Sequence, residues 1–298
     1  MIPASTPEER RLQAATRQLK AFASLHPVRK AEAVFQLLEA AASRLGRFDL
    51  AGFQEISGSD PVASVGELMD VARGVVAAIE ASGIQPALAL SALAREELDR
   101  PQQRGSGAYH TDFRLAQHLA GSVREKLKPG VRVADPACGA GMLLAAVSLV
   151  ACGPDRVLAA DWLAQSVHAC DLSEGALRGT FIALASLTDN LAALRQMRAR
   201  WRAQDSLLTS SVEWQDADHG FDVVIANPPW EKVKLSRHEF IKGRGGERHY
   251  GADYDETKLL GYDRERGRAL AYADQLASRY PTLREGEADL YVAFAELL

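Results

Sequence analysis

The fold turns on the stretch VRVADPACGAGMLLAAVSLVA, Val131 to Ala151. It opens with β-branched residues, bends at an aspartate and a proline, passes two glycines and enters a long apolar run. A strand, a tight loop and a helix are expected in that order. Glycines at 139 and 141 let backbone approach a ligand without Cβ interference, and the first helical turn offers N–H groups with no partner inside the helix. Such a loop can hold a nucleotide, a carboxylate or a phosphate. By itself a GxG is weak, and a plain strand-to-helix turn explains it about as well.

The flanking sequence sharpens it. The helix DFRLAQHLAGSVREKL, Asp112 to Leu127, leads into the first strand. After the helix MLLAAVSLVA a second strand is expected around SVHACDLS, Ser166 to Ser173, then the helix EGALRGTFIALASL, Glu174 to Leu187. A third strand is expected near RARWRAQD, Arg198 to Asp205, and a strong one in FDVVIAN, Phe221 to Asn227. Strands alternating with helices imply a parallel sheet with helices on its faces, and ligands bind beyond the carboxyl ends of such strands. Asp135, Asp171 and Asp205 all fall there. A carboxylate at Asp171 can accept both hydroxyls of a ribose, and Asp205 is placed to reach an adenine amine. A nicotinamide site is disfavoured: GxGxxG needs a small residue where Leu144 stands, and the acid follows the glycines by well over the usual ~20 residues.

The last strand runs into Asn227, Pro228, Pro229 and Trp230. An exocyclic amine of adenine is a poor nucleophile because its lone pair is delocalised into the ring. Two acceptors around its N–H bonds favour a pyramidal nitrogen and offset the developing positive charge. The Asn227 side-chain oxygen can be one and the Pro228 carbonyl the other, aimed by backbone that both prolines restrict. Trp230 offers a flat apolar surface for a base. A rigid turn after a strand would explain an isolated NPP, but it explains poorly the coincidence with DPACGAG upstream.

Taken together these residues resemble the motif series of S-adenosylmethionine-dependent amino-methyltransferases, specifically the gamma-class adenine-N6 DNA methyltransferases. GAYHTDFRLAQHLA, Gly107 to Ala120, is similar to that family's N-terminal cofactor motif, with His110 where a second tyrosine is common and Ala140 where serine is common. The resemblance implies a Rossmann-like α/β methyltransferase sheet over residues 105–298, and S-adenosyl-L-methionine as cofactor. Tyr109 and Thr111 would border its methionine end. Asp135, Pro136, Ala137, Cys138, Gly139 and Gly141 would line the methionine and backbone-contact part. Asp171 with Leu172 would take the ribose side, and Asp205 with Ser206 the adenine ring. Asn227, Pro228, Pro229 and Trp230 would be the catalytic set, holding an adenine flipped out of duplex DNA. The class includes many restriction–modification and phage-defence enzymes.

Residues 1–104 look almost entirely helical and carry no evident chemistry. Thr6-Pro7-Glu8-Glu9 and Ser64-Val65-Gly66-Glu67 are helix starts, and the polar DRPQQRGSG, Asp99 to Gly107, is the boundary. The 298 residues are 47% hydrophobic with a formal charge of -4, which suits one large domain or two smaller ones and gives no global support for nucleic-acid binding. Three cysteines without CxxC or Cys/His spacing argue against structural zinc and favour a reducing compartment. With no signal peptide or membrane-length apolar run, a cytoplasmic protein is expected. Cys138 lies in the cofactor loop and not where a cytosine-C5 nucleophile would sit, and Glu256-Thr257-Lys258 matches a nuclease ExK by chance. Six basic residues between Lys232 and Arg248, interleaved with His249, Tyr250 and Tyr254, suit a solvated loop or a DNA contact about equally.

GEADLYVAFAELL, Gly286 to Leu298, resembles the start of the helix that follows NPPW in this family. The fifth strand, closing hairpin and sequence-reading domain would come next, so a truncated or split enzyme is expected, with a C-terminal target-recognition region or a partner subunit. The rival readings are an RNA guanine-N2 methyltransferase, a protein glutamine methyltransferase, and an inactive cofactor-binding subunit of a defence complex.

Overall fold

A computed structural model of the chain describes residues 6–98, 111–209, 220–230, 261–285 and 289–297. They divide into two units. The first holds the described residues up to Leu98, those from Thr111 to Gln204, and Gly220 to Ala226. The second holds Asp205 to Thr209, Asn227 to Trp230 and the described residues from Gly261 onward.

The first unit begins with helices α1 (Pro7–Leu25), α2 (Lys30–Gly46), α3 (Leu50–Ser57), α4 (Val65–Ser82) and α5 (Pro86–Leu98). Their starts follow the expected chemistry. The Thr6 hydroxyl accepts from the Glu9 N–H while the Glu9 carboxylate accepts from the Thr6 N–H, closing a capping box. Ser64 caps α4 through the Glu67 N–H, and Gly83 ends it at φ +77°. Next come α6 (Phe113–Ser122), capped by Asp112, and a short 3-10 turn at Arg124–Lys126.

Beyond it lie β1 (Val133–Asp135), α7 (Met142–Cys152), α8 (Arg156–Gln165), β2 (Val167–Asp171), α9 (Glu174–Ala185), α10 (Leu191–Ala199), β3 (Arg202–Ala203) and β4 (Val223–Val224). The four strands among the described residues pair in parallel in the order β3-β2-β1-β4. That is the Rossmann-like doubly wound arrangement, which brings the carboxyl ends of every strand to one edge. β4 stands at one end of the row of described strands.

Two strands are shorter than their sequence suggests. Arg198 and Ala199 complete α10, and the Arg200 guanidinium bonds the carbonyls of Leu163 (2.9 Å) and Val167 (3.1 Å), so only Arg202 and Ala203 pair with β2. In FDVVIAN only Val223 and Val224 are strand, although the Ile225 N–H still donates to Ala134 (3.0 Å). Helices α8 and α10 add to the expected set. Each has a cap readable in the chain, Asp155 for α8 and Asn190 for α10.

One hydrophobic core runs through this unit, from Leu12 and Leu38 in the first helices to Val133 in β1 and Phe181 in α9. α5 packs on α9 and α7, and α2 also packs on α9. Phe53 stacks on Phe181 with ring centroids 4.6 Å apart, and Gly179 lets Ala94 come close. An ionic cluster, partly buried, fastens the same contact. Arg178 of α9 is bidentate to Glu32 (2.7 and 2.9 Å) and reaches Glu39 (2.9 Å), whose side chain is wholly buried. Ser57 and Ser59 also donate to Glu39.

In the second unit, α11 (Tyr262–Arg279) is followed by a 3-10 turn at Pro281–Glu285 and by α12 (Leu290–Leu297). Tyr272, Leu276 and Tyr280 recur at helical spacing on one side of α11, with Leu276 and Tyr280 buried. Among the described residues, no single helix is long and apolar enough to cross a membrane.

Removing one member of a buried ion pair leaves the other charge uncompensated, at a cost of about 3–5 kcal/mol. Arg178→Ala should therefore lose about 3 kcal/mol or more in urea unfolding, with Glu39→Gln in the same chain recovering part of it. A loss below about 1 kcal/mol would reduce the pair to the worth of an exposed one.

Candidate functional site

The loop after β1 is built around an acid and two glycines. Asp135 is 1% exposed, and its Oδ1 accepts from the Ala137 N–H at 3.1 Å. Pro136 and Cys138 are buried and Ala137 is partly exposed. Gly139 has φ +54°, and a Cβ placed there would meet nothing within 4 Å, so open space lies beside its backbone. Gly141 is needed for packing: at φ +83°, a Cβ would come within 2.9 Å of the Thr180 Cα. Thr180 also fixes the loop directly, its hydroxyl donating to the Gly139 carbonyl at 2.8 Å. The Cys138 N–H donates to Cys170 (3.1 Å), its carbonyl accepts from Gly141 (2.8 Å), and burial pushes its thiol well up. That fits an inert packing residue better than a nucleophile.

At the end of β2, Asp171 joins three segments. Its Oδ2 accepts from the Gly139 N–H (2.9 Å) and its Oδ1 from the Ser173 N–H (2.9 Å), tying strand, glycine loop and the cap of α9 together. Its main-chain carbonyl accepts from Gln204 at 2.9 Å. Burial raises the carboxyl above its ordinary value against the backbone N–H bonds that lower it. Leu172, next in the chain, is 77% exposed, a large apolar side chain left in solvent at the strand end. Thr111, just before the Asp112 cap of α6, is buried.

Asp135, Gly139 and Asp171 are thus brought together within one unit. Asn227 to Trp230 and Asp205 with Ser206 belong to the other. There the Trp230 indole N–H donates to Asn227 Oδ1 at 3.1 Å, and one face of the indole stacks on Tyr291 of α12, with centroids 5.2 Å apart at 29°. Trp230 remains 54% exposed. The indole can only donate, so it turns the oxygen of the Asn227 amide toward it. Pro228 and Pro229 are partly exposed between them.

Asp205 Oδ1 accepts from the Leu207 N–H (2.9 Å), and its Oδ2 accepts from the Tyr272 hydroxyl (2.8 Å). Ser206 is buried. Thr180, Ser173, Tyr272 and Tyr291 are the residues that sequence reasoning passed over. Ser173 alone carried a local signal, as a serine ahead of a helix. Tyr109, the basic stretch from Lys232 to Arg248 with His249, Tyr250 and Tyr254, and Glu256-Thr257-Lys258 lie outside the described residues.

Burial, with the Asp171 charge adding to it and the Ala137 N–H opposing it, raises the Asp135 carboxyl from its ordinary 3.8 to about 8. A carboxyl raised in the fold stabilises it fully below the unfolded value near pH ~4, and that contribution is lost as pH climbs through the folded value. Asp135→Asn keeps the shape without the charge. It should flatten the pH dependence of urea unfolding between about pH 5 and 8 relative to the parent chain. An identical slope in both would mean that Asp135 is ionised in the fold.

Among solved structures, the chain is similar to the type IIG restriction endonuclease BpuSI, at 17% identity over 98% of this chain with a TM-score of 0.47. It covers 31% of that protein, and so spans under a third of its length. It is also similar to a Listeria monocytogenes protein assigned to the class I S-adenosylmethionine-dependent methyltransferases, at 16% identity over 86% of this chain and 70% of the other, with a TM-score of 0.33. A search of curated proteins by sequence returns no match. The model of the N-6 DNA Methylase family matches residues 96–244, half of the sequence and the half that holds DPACGAG, Asp171, Asp205 and NPPW. This chain belongs to the N-6 DNA methylase family.

Proposed function

We propose that the chain is the catalytic core of an adenine-specific DNA methyltransferase, cytoplasmic and part of a restriction–modification or phage-defence system. The observation that carries the cofactor half of this reading is the Asp171 carboxylate on the Gly139 N–H, beside open space at the glycine backbone. Each carboxylate oxygen accepts two hydrogen bonds, so Asp171 keeps capacity for a ribose. The exposed Leu172 suits one face of a purine, and Asp135 suits a cationic amine, whose charge would stabilise the carboxylate and let its proton go to solvent. These residues fit S-adenosyl-L-methionine, which when bound supplies an electrophilic methyl group on a sulfonium.

Thr111 and Tyr109 would border the methionine end, and residues 136–141 its backbone-contact part. Asp205 would accept from the adenine amine, with Ser206 beside it. Asn227 Oδ1 and the Pro228 carbonyl would receive the two N–H bonds of the target N6 amine, and Pro229 would hold their spacing. The face of Trp230 away from Tyr291 would stack on an adenine swung out of the duplex. In this division of roles residues 105–298 carry the chemistry and residues 1–104 are helical support. A target-recognition region or partner subunit would select the DNA sequence.

Methyl transfer from labelled S-adenosylmethionine should prefer DNA to RNA and to peptide in the full-length protein. A preference for RNA or for glutamine peptides would replace the DNA reading with a rival. No transfer at all with intact cofactor binding would make the chain a cofactor-binding subunit. Asn227→Ala should cut transfer by roughly a hundred-fold or more while leaving cofactor affinity near that of the parent, as loss of a transition-state acceptor does. Asp171→Ala should instead weaken cofactor binding in calorimetry, and unchanged affinity would remove the ribose assignment.

A further inference from the structure

A helix beyond the catalytic loop grips the turn that carries Asp205. Three side chains of α11 and its C-terminal edge reach Asp205 to Thr209. The Tyr272 hydroxyl donates to Asp205 Oδ2 (2.8 Å), the Arg279 guanidinium to the Thr209 carbonyl, and the buried Tyr280 hydroxyl to the Leu207 carbonyl (2.7 Å). The last two hold main chain. Tyr272 alone holds the carboxylate itself.

That carboxylate has two donors already in place, the Leu207 N–H on one oxygen and Tyr272 on the other. The first is a bond within the turn and fixes where the carboxylate begins. The second fixes its rotation about χ2, because a hydroxyl delivered from a packed helix allows one orientation of Oδ2. Each oxygen retains a lone pair for a further donor, whose direction is then set by the protein.

We propose that Tyr272 is a positioning residue for purine recognition: by locking the Asp205 carboxylate it makes the cofactor site select an exocyclic amine over a keto oxygen. This rests on the reading of Asp205 as the acceptor for the cofactor's adenine amine. Burial, together with the Asp205 carboxylate, raises the Tyr272 hydroxyl pKa, so the phenol remains a donor at every working pH. A site built to hydrogen-bond an amine rejects the keto analogue chiefly because a buried acceptor would otherwise face another acceptor.

The test compares binding of S-adenosylhomocysteine and S-inosylhomocysteine, which differ only at C6 and in the hydrogen that N1 beside it carries in the inosyl compound, by calorimetry on the full chain. The parent chain should prefer the adenosyl compound. Asp205→Asn keeps the turn bond but offers an amide N–H₂, and should move the preference toward the inosyl compound. Tyr272→Phe should narrow the adenosyl preference by roughly three- to ten-fold, the loss expected when a charged acceptor is no longer held. Tyr280→Phe, which removes a neighbouring hydroxyl from the same side of α11, should leave the preference unaltered. An unaltered preference in Tyr272→Phe, or an equal narrowing in Tyr280→Phe, would overturn the positioning role while leaving Asp205 in place. If Asp205→Asn leaves the preference intact, Asp205 does not read the purine and the proposal falls with it. If neither compound binds the parent chain, the cofactor reading itself fails.

Discussion

The carboxylate of Asp171 is the joint of the strand-end geometry. A parallel sheet delivers strand ends to one edge but does not fix the loops that leave them. Here one side chain does so, accepting the Gly139 N–H from the loop after β1 and the Ser173 N–H at the start of α9. Two charge-assisted bonds to backbone donors hold both the glycine loop and the first turn of a core helix to the end of β2. Thr180, one and a half turns into α9, then returns to the same loop through the Gly139 carbonyl. The loop is gripped by its N–H and its carbonyl at one residue, whose φ of +54° is a conformation that glycine adopts without strain. This gives Gly139 and Gly141 different physical reasons to be glycine. The first faces open space, and the second lies against the backbone of α9.

The helices ahead of the methyltransferase motifs share in that arrangement. α9 carries Thr180 toward the glycine loop and, two residues earlier, Arg178 toward Glu32 and Glu39 of α2. A shift of α9 would therefore disturb the ionic cluster and the loop together. The stack of Phe53 on Phe181 and the close approach of Ala94 to Gly179 place apolar contact on both sides of those polar residues. Residues 1–98 thus act through packing, as a backing for the helix that shapes the loop.

Much of this was legible because the signals were local. Thr6 with Glu9, Ser64 with Glu67 and Gly83 fix helix ends within a few residues, and the alternation of apolar runs with turn residues gives the parallel sheet. Strand lengths were not legible, since pairing depends on neighbours: RARWR reads as extended, yet Arg200 and Trp201 are occupied with carbonyls of α8 and β2. α8 and α10 were hidden by weak or interrupted apolar patterns, although Asp155 and Asn190 marked their starts. Thr180, Tyr272 and Tyr291 carried no motif. Each matters through a partner far away in the chain, and no spacing rule reaches that distance.

Asp135 shows what such a site asks of the fold. Placing a carboxyl wholly inside, next to a second one, is unfavourable, and the chain resolves it by leaving Asp135 able to hold a proton to about pH 8. The backbone donor it has, the Ala137 N–H, is too little to keep the ion inside, whereas Asp171 has several donors and some exposure. The two acids are therefore unequal before any ligand arrives. A core selected for stability alone would have no use for that inequality, since an apolar residue at 135 would remove the cost. Its presence at the mouth of a glycine loop is a reason to read the loop as a binding site and not as a turn.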